Sequence, residues 1–197
     1  MPLGAFKAAL MGTAGVSTEG DVVLLATSTA SSSDALEFKT NLTSTYSEYI
    51  FKFYNLHMSA DGHIFRFLSS IDGGDNYGVA TTTTMFRARH REDDSEANLA
   101  YDTGQDAAQS TSAIALSQGI GNDNDYHFSG ELHLFNPAST TYVKHFYART
   151  QGCQDTEILH DVFVGGYINT TSAVDGMKFL NSSGTIDEGK IKLWGVK

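Results

Sequence analysis

Two stretches of the chain concentrate carboxylates where the backbone must turn. Asp72 and Asp75 lie in Asp72-Gly-Gly-Asp-Asn76, and Asp123 and Asp125 lie in Gly119-Ile-Gly-Asn-Asp-Asn-Asp125. Oxygen-rich loops of this kind hold Ca²⁺ when several carboxylates and carbonyls converge. The spacing does not follow the EF-hand pattern, and Asp and Asn also close turns through their own side chains. Turn closure is therefore the first reading of these residues and calcium the second.

A different chemistry would need two carboxylates facing one another across a groove, as in glycosidases. Glu131 lies in a strand-like segment that could line such a groove, and Asp161 is its possible partner; sequence does not fix their separation. No Gly-x-Ser-x-Gly elbow is present to supply a serine nucleophile. The single cysteine, Cys153, permits no disulfide within the chain, and its neighbours Gln151, Gly152, Gln154 and Asp155 offer no group to stabilise a thiolate. The histidines at 57, 63, 90, 127, 133, 145 and 160 lack the spacing of a helical metal site. His133 and His145 could be cross-strand neighbours, but alternation sets each among polar residues, as ordinary surface histidines. Trp194 could stack on a sugar, with core packing the blander reading. Asn41, Asn169 and Asn181 each begin a glycosylation-type triplet, which here reads as turn-forming polar sequence. No catalytic, metal-ligating or cofactor-binding residue is assigned.

The elements that would carry these residues are short and extended. Tyr49, Phe51 and Phe53 alternate with Ile50, Lys52 and Tyr54, the period-two pattern of a half-buried strand. Ile64–Ile71 runs back after a turn at 57–62, which predicts a hairpin. Further strands are expected over 21–26, 35–39, 81–89, 112–116, 130–135, 140–148, 160–168, 176–180 and 190–196, while 93–109 reads as an acidic polar connection around Tyr101. Many short strands at even spacing with no long helical period predict an all-β, antiparallel β-sandwich of jelly-roll type. Residues 1–20, rich in small side chains, are expected to form an N-terminal attachment arm or short helix, and 21–197 a single β-sandwich domain.

Bulk composition narrows the function. With 13 Lys and Arg against 23 Asp and Glu, the formal net charge is −10, which repels a phosphate backbone and argues against nucleic acid. The cationic run Arg87, Arg89, His90, Arg91 is followed by Glu92, Asp93, Asp94 and Glu96, so its field is cancelled locally, as in a mixed-charge turn. The opening residues have one Lys and no long apolar run, unlike a signal peptide, and no stretch has the roughly 18 apolar residues of a membrane helix.

Several segments carry a resemblance when taken together and in order: Tyr49-Ile-Phe-Lys-Phe-Tyr-Asn-Leu-His-Met-Ser-Ala-Asp-Gly62, Gly130-Glu-Leu-His-Leu-Phe-Asn-Pro137, Gly166-Tyr-Ile-Asn-Thr-Thr-Ser-Ala173 and Gly184-Thr-Ile-Asp-Glu-Gly-Lys-Ile-Lys-Leu-Trp-Gly195. From about residue 45 to the C-terminus they resemble virion structural proteins of tailed bacteriophages of aquatic bacteria. The resemblance implies a non-enzymatic place in the virion, a jelly-roll-like sandwich, and a homo-oligomer, possibly a trimer, among other capsid or tail proteins. It names no site residue. The placements it leaves open are a capsid decoration or head-fibre protein, a tail component, and a receptor-binding module for host surface glycan. A glycan hydrolase is a weaker alternative.

Overall fold

The structure is a computed structural model that describes residues 21–154 and 156–197; the expected arm over 1–20 lies outside the described residues. The described residues form strands β1 (Val22–Thr29), β2 (Leu36–Phe38), β3 (Glu48–Met58), β4 (His63–Ser70), β5 (Thr81–Arg91), β6 (Ala97–Tyr101), β7 (Ala107–Ser110), β8 (Ile114–Ile120), β9 (Phe128–Phe135), β10 (Lys144–Gln154), β11 (Ile158–Ile168), β12 (Gly176–Asn181) and β13 (Ile186–Val196). A nine-stranded sheet has the order β1-β13-β3-β9-β10-β11-β5-β6, with β7 also paired to β5, and a four-stranded sheet has the order β2-β12-β4-β8. All pairings are antiparallel. The all-β antiparallel sandwich expected from sequence is present.

The alternation in β3 is what seats it. Tyr49, Phe51, Phe53, Leu56 and Met58 are buried, while Lys52 and Tyr54 face away from the small sheet. Phe51 and Phe53 meet Phe65 of β4, Phe179 of β12, Phe38 of β2 and Phe128 of β9 in a continuous ring cluster, with Phe53 5.2 Å from Phe65 and Phe65 stacked on Phe179 at 5.9 Å. Such pairs contribute about 0.5–1.5 kcal/mol each beyond their buried area, so aromatic packing between the two sheets is a major part of what holds them together.

The hairpin expected between 49–54 and 64–71 does not form. β3 pairs with β13 and β9 in the large sheet, whereas β4 pairs with β12 and β8 in the small one. The turn at 59–62 carries the chain from one layer to the other, because both strands have an apolar face that must turn inward onto the same core.

The expected connection over 93–109 is also partly strand. β6 and most of β7 lie in it, and Arg87–Arg91 belong to β5, not to a turn. At this end the small sheet no longer covers the large one, and β6 is solvent-exposed along most of its length. The inward face of β5 accordingly changes from Thr81, Thr83 and Met85 to Arg87 and Arg89. Arg87 pairs with Asp102 at 3.1 Å, Arg89 with Glu96, and Gln118 of β8 donates to Asp102 at 2.9 Å. The cationic run is thus neutralised by its own neighbours.

Candidate functional site

The face of the large sheet turned away from the small sheet is covered by no other strand among the described residues, and strand register arranges its side chains in rows. One row crosses Lys52, Glu131, Arg149, Phe163 and Phe86. Lys52 pairs with Glu131 at 3.4 Å, Arg149 grips Asp161 through two hydrogen bonds of 2.8 and 3.1 Å, and the Arg149 guanidinium lies 5.0 Å from the Phe163 ring centre. Phe163 stacks on Phe86 at 4.9 Å. In the adjoining row His133 stacks on Tyr147 at 4.5 Å, its Nδ1 2.5 Å from a Glu48 oxygen and its Nε2 3.3 Å from Glu131.

Glu131 and Asp161 are therefore each matched to a cation and stand on β9 and β11 with β10 between them, roughly 10 Å apart from strand spacing alone. Partial burial raises the Glu131 pKa, but the hydrogen bond and charge of His133 and the nearby Lys52 outweigh it, and the net displacement is downward. A carboxyl stabilised as its anion is poorly suited to donate a proton as a general acid.

The remaining sequence candidates are dispersed. Asp72 closes its own turn: it accepts from the backbone of Asn76 at 2.9 Å, the Asn76 amide at 2.8 Å and the Ser70 hydroxyl at 2.7 Å, and these bonds lower its pKa to about 2. Asp123 offers its carbonyl to Tyr126 and lies beside His57. No group of three or more His, Cys, Asp or Glu residues that could hold a metal ion occurs among the described residues. Burial pushes the Cys153 thiol up, with Glu92 and Asp125 adding to the effect.

His133 differs from its expectation as an ordinary surface histidine, since its ring is enclosed by Tyr147, Glu48 and Glu131. It is also not opposite His145, which pairs with Tyr167 across β10 and β11 while His133 pairs with Tyr147. Trp194 does not pack in the core; it sits on the outer face between Leu24 and Ile50 of the flanking strands.

A concavity lies at one end of this outer face, where β3, β9 and β10 meet two loops. Its volume is about 760 Å³. Tyr46, Phe135, Tyr142 and His145 supply rings, and Ser44, Thr45, Ser47, Asn136 and Ser139 supply hydroxyl and amide groups. Both loops are held from below. The Tyr49 hydroxyl, at the foot of β3, donates to the Thr43 carbonyl at 2.8 Å and accepts from the Thr43 N–H at 2.9 Å. The fully buried Lys144, first residue of β10, donates to the carbonyls of Tyr142 at 2.7 Å and Thr170 at 2.9 Å. Burial lowers the Lys144 pKa below the usual lysine value. Gly195 completes the seat: a Cβ there would come within 2.6 Å of the Tyr46 ring.

Sequence reasoning missed this cleft because it placed Tyr142 inside a strand over 140–148, whereas the strand begins at Lys144. Asn136-Pro137 and the Ser/Thr run that follows were the only local sign of a longer loop. No family model, curated protein or solved structure matches the chain.

Proposed function

We propose that this chain is a non-enzymatic structural component of a tailed-phage virion, built into capsid or tail as a homo-oligomer through its sheet edges and its first 20 residues. The observation that carries the reading is the character of β1 and β6, the strands that end the large sheet's main order among the described residues. β1, Val-Val-Leu-Leu-Ala-Thr-Ser-Thr, and β6, Ala-Asn-Leu-Ala-Tyr, contain no charged residue and no proline. Isolated soluble sheets guard their edges with charge, proline or short strands, because an open edge is a template for pairing. Here Val22, Leu24, Leu99 and Tyr101 are exposed on those strands, with Leu99 72% exposed.

Two different edges pairing head to tail form a closed ring when the rotation allows it, and the resemblance to virion proteins is what makes a trimer the expected count. The resemblance of four ordered segments to virion structural proteins supplies the particle. The pairing of Glu131 with Lys52 and its lowered pKa weigh against its use as the general acid of a glycan hydrolase. The test is light scattering of the purified chain beside Leu24→Lys and Leu99→Lys. The native chain is expected to form a trimer and each variant a folded monomer; a native chain that is monomeric at high micromolar concentration would count against edge assembly.

A further inference from the structure

We infer that the cleft between the 43–47 and 136–143 loops binds a neutral oligosaccharide, with Tyr142 as the stacking platform. Tyr142 is 73% exposed, the most exposed of the large apolar side chains among the described residues. It projects from a backbone that the buried Lys144 ammonium fixes in place. An aromatic ring presented to water from an anchored backbone offers a flat apolar face to the C–H side of a sugar ring while its hydroxyl remains able to hydrogen-bond.

The rest of the lining fits the same chemistry. Ser47, Asn136 and Ser139 provide donors and acceptors of the strength that sugar hydroxyls match, and no Asp or Glu is among the described residues that line the cleft. A cationic ligand would find no carboxylate side chain among these described residues. Lys197 is at the rim, but no cluster of basic side chains gathers there for a polyanion among the described residues. The volume falls within the roughly 300–1,000 Å³ range of small-ligand sites. Because Tyr49 and Lys144 already anchor both loops, little loop entropy is left to lose on binding. Beyond the mouth, Phe135, Tyr147 and Tyr167 continue an aromatic track across the open sheet, along which further sugar units would lie.

The inference does not depend on a place in the virion, and its test is separate. The purified full chain is applied to an array of neutral gluco-, galacto-, manno- and N-acetylglucosamine oligosaccharides, with uronate and sulfated oligosaccharides as a second arm, and hits are titrated by calorimetry. Neutral binding is expected, weakened by about tenfold or more in Tyr142→Ala and kept within about threefold in Tyr142→Phe. Tyr142 is exposed, so both variants should melt with the native chain; His145→Ala is a second probe of the same cleft. Absence of neutral binding, binding confined to the charged arm, or binding unchanged in both Tyr142→Ala and His145→Ala would overturn the inference.

Discussion

Lys144 and Tyr142 are two residues apart, and the wholly buried ammonium of one donates to the main-chain carbonyl of the other at 2.7 Å. The second acceptor, the Thr170 carbonyl at 2.9 Å, ties the 136–143 loop to the segment that follows β11. No salt bridge accompanies these bonds among the described residues. Removing the ammonium leaves two part-buried carbonyls without this donor, at about 1–3 kcal/mol. Lys144→Met, which keeps an unbranched apolar stem but removes the ammonium, is expected to lower stability by that amount in chemical denaturation, while Tyr142→Ala changes it by less than about 0.5 kcal/mol. Equal effects of the two would contradict the clamp.

His160 gives the fold a pH dependence. It is 3% exposed, its Nδ1 has no partner, and burial, with repulsion from Arg87 and Arg89, lowers its pKa to about 4 from an ordinary value near 6.5. The unfolded chain takes up the proton first as pH falls, so stability is complete above about 6.5 and declines between there and about 4. The full decline from this group is on the order of 3 kcal/mol. Urea midpoints at pH 7, 5.5 and 4.5 should fall in the native chain and fall less steeply in His160→Gln.

Asp72 acts at lower pH. Three hydrogen bonds to its carboxylate hold its pKa near 2, below the ordinary value of 3.8. Its contribution is present above about pH 4 and is lost as pH falls towards 2, when the carboxylate is protonated. Asp72→Ala is expected to melt lower than the native chain at pH 7, with the difference narrowing at pH 2. The same accounting makes the turn self-sufficient, so added calcium should leave the melting temperature unchanged; a calcium-dependent rise would revive the cation reading of this loop.

Glycine positions separate close approach from mere turning. A Cβ on Gly130 of β9 would lie 2.5 Å from the Arg149 carbonyl and 2.7 Å from the Thr150 Cα, both backbone atoms of the neighbouring strand. At Gly62 no atom lies within 4 Å of the same position, although its φ of +70° still carries a strain cost. Gly130→Ala should therefore destabilise by more than about 2 kcal/mol and Gly62→Ala by about 1 kcal/mol. The reverse order in thermal melts would show that β9 and β10 can part more easily than their packing indicates.

The parts of the fold legible in sequence were those with one wet and one dry face. In β3 the residues Tyr49, Phe51 and Phe53 are buried as their alternation requires, and β10 repeats the pattern through Phe146, Ala148 and Thr150. β6 escaped because, at an uncovered edge, nothing compels Ala97-Asn-Leu-Ala-Tyr101 to alternate. The false hairpin arose because Ala60-Asp-Gly62 is a good tight turn in either setting; pairing of β3 with β13, more than 100 residues away, is what divides the layers. The cleft joins loops about 90 residues apart through Tyr49 and Lys144, and sequence gives no cue that a lysine in a polar run will be wholly buried.

The most direct measurement is quantitative mass spectrometry of purified particles from a phage whose genome encodes this chain, read as copies per virion relative to the major capsid protein. The account predicts the chain in every preparation, at hundreds of copies for a capsid decoration or at a few to a few dozen for a tail or vertex component. Particles that are infectious and contain none of it would contradict a structural role in the virion.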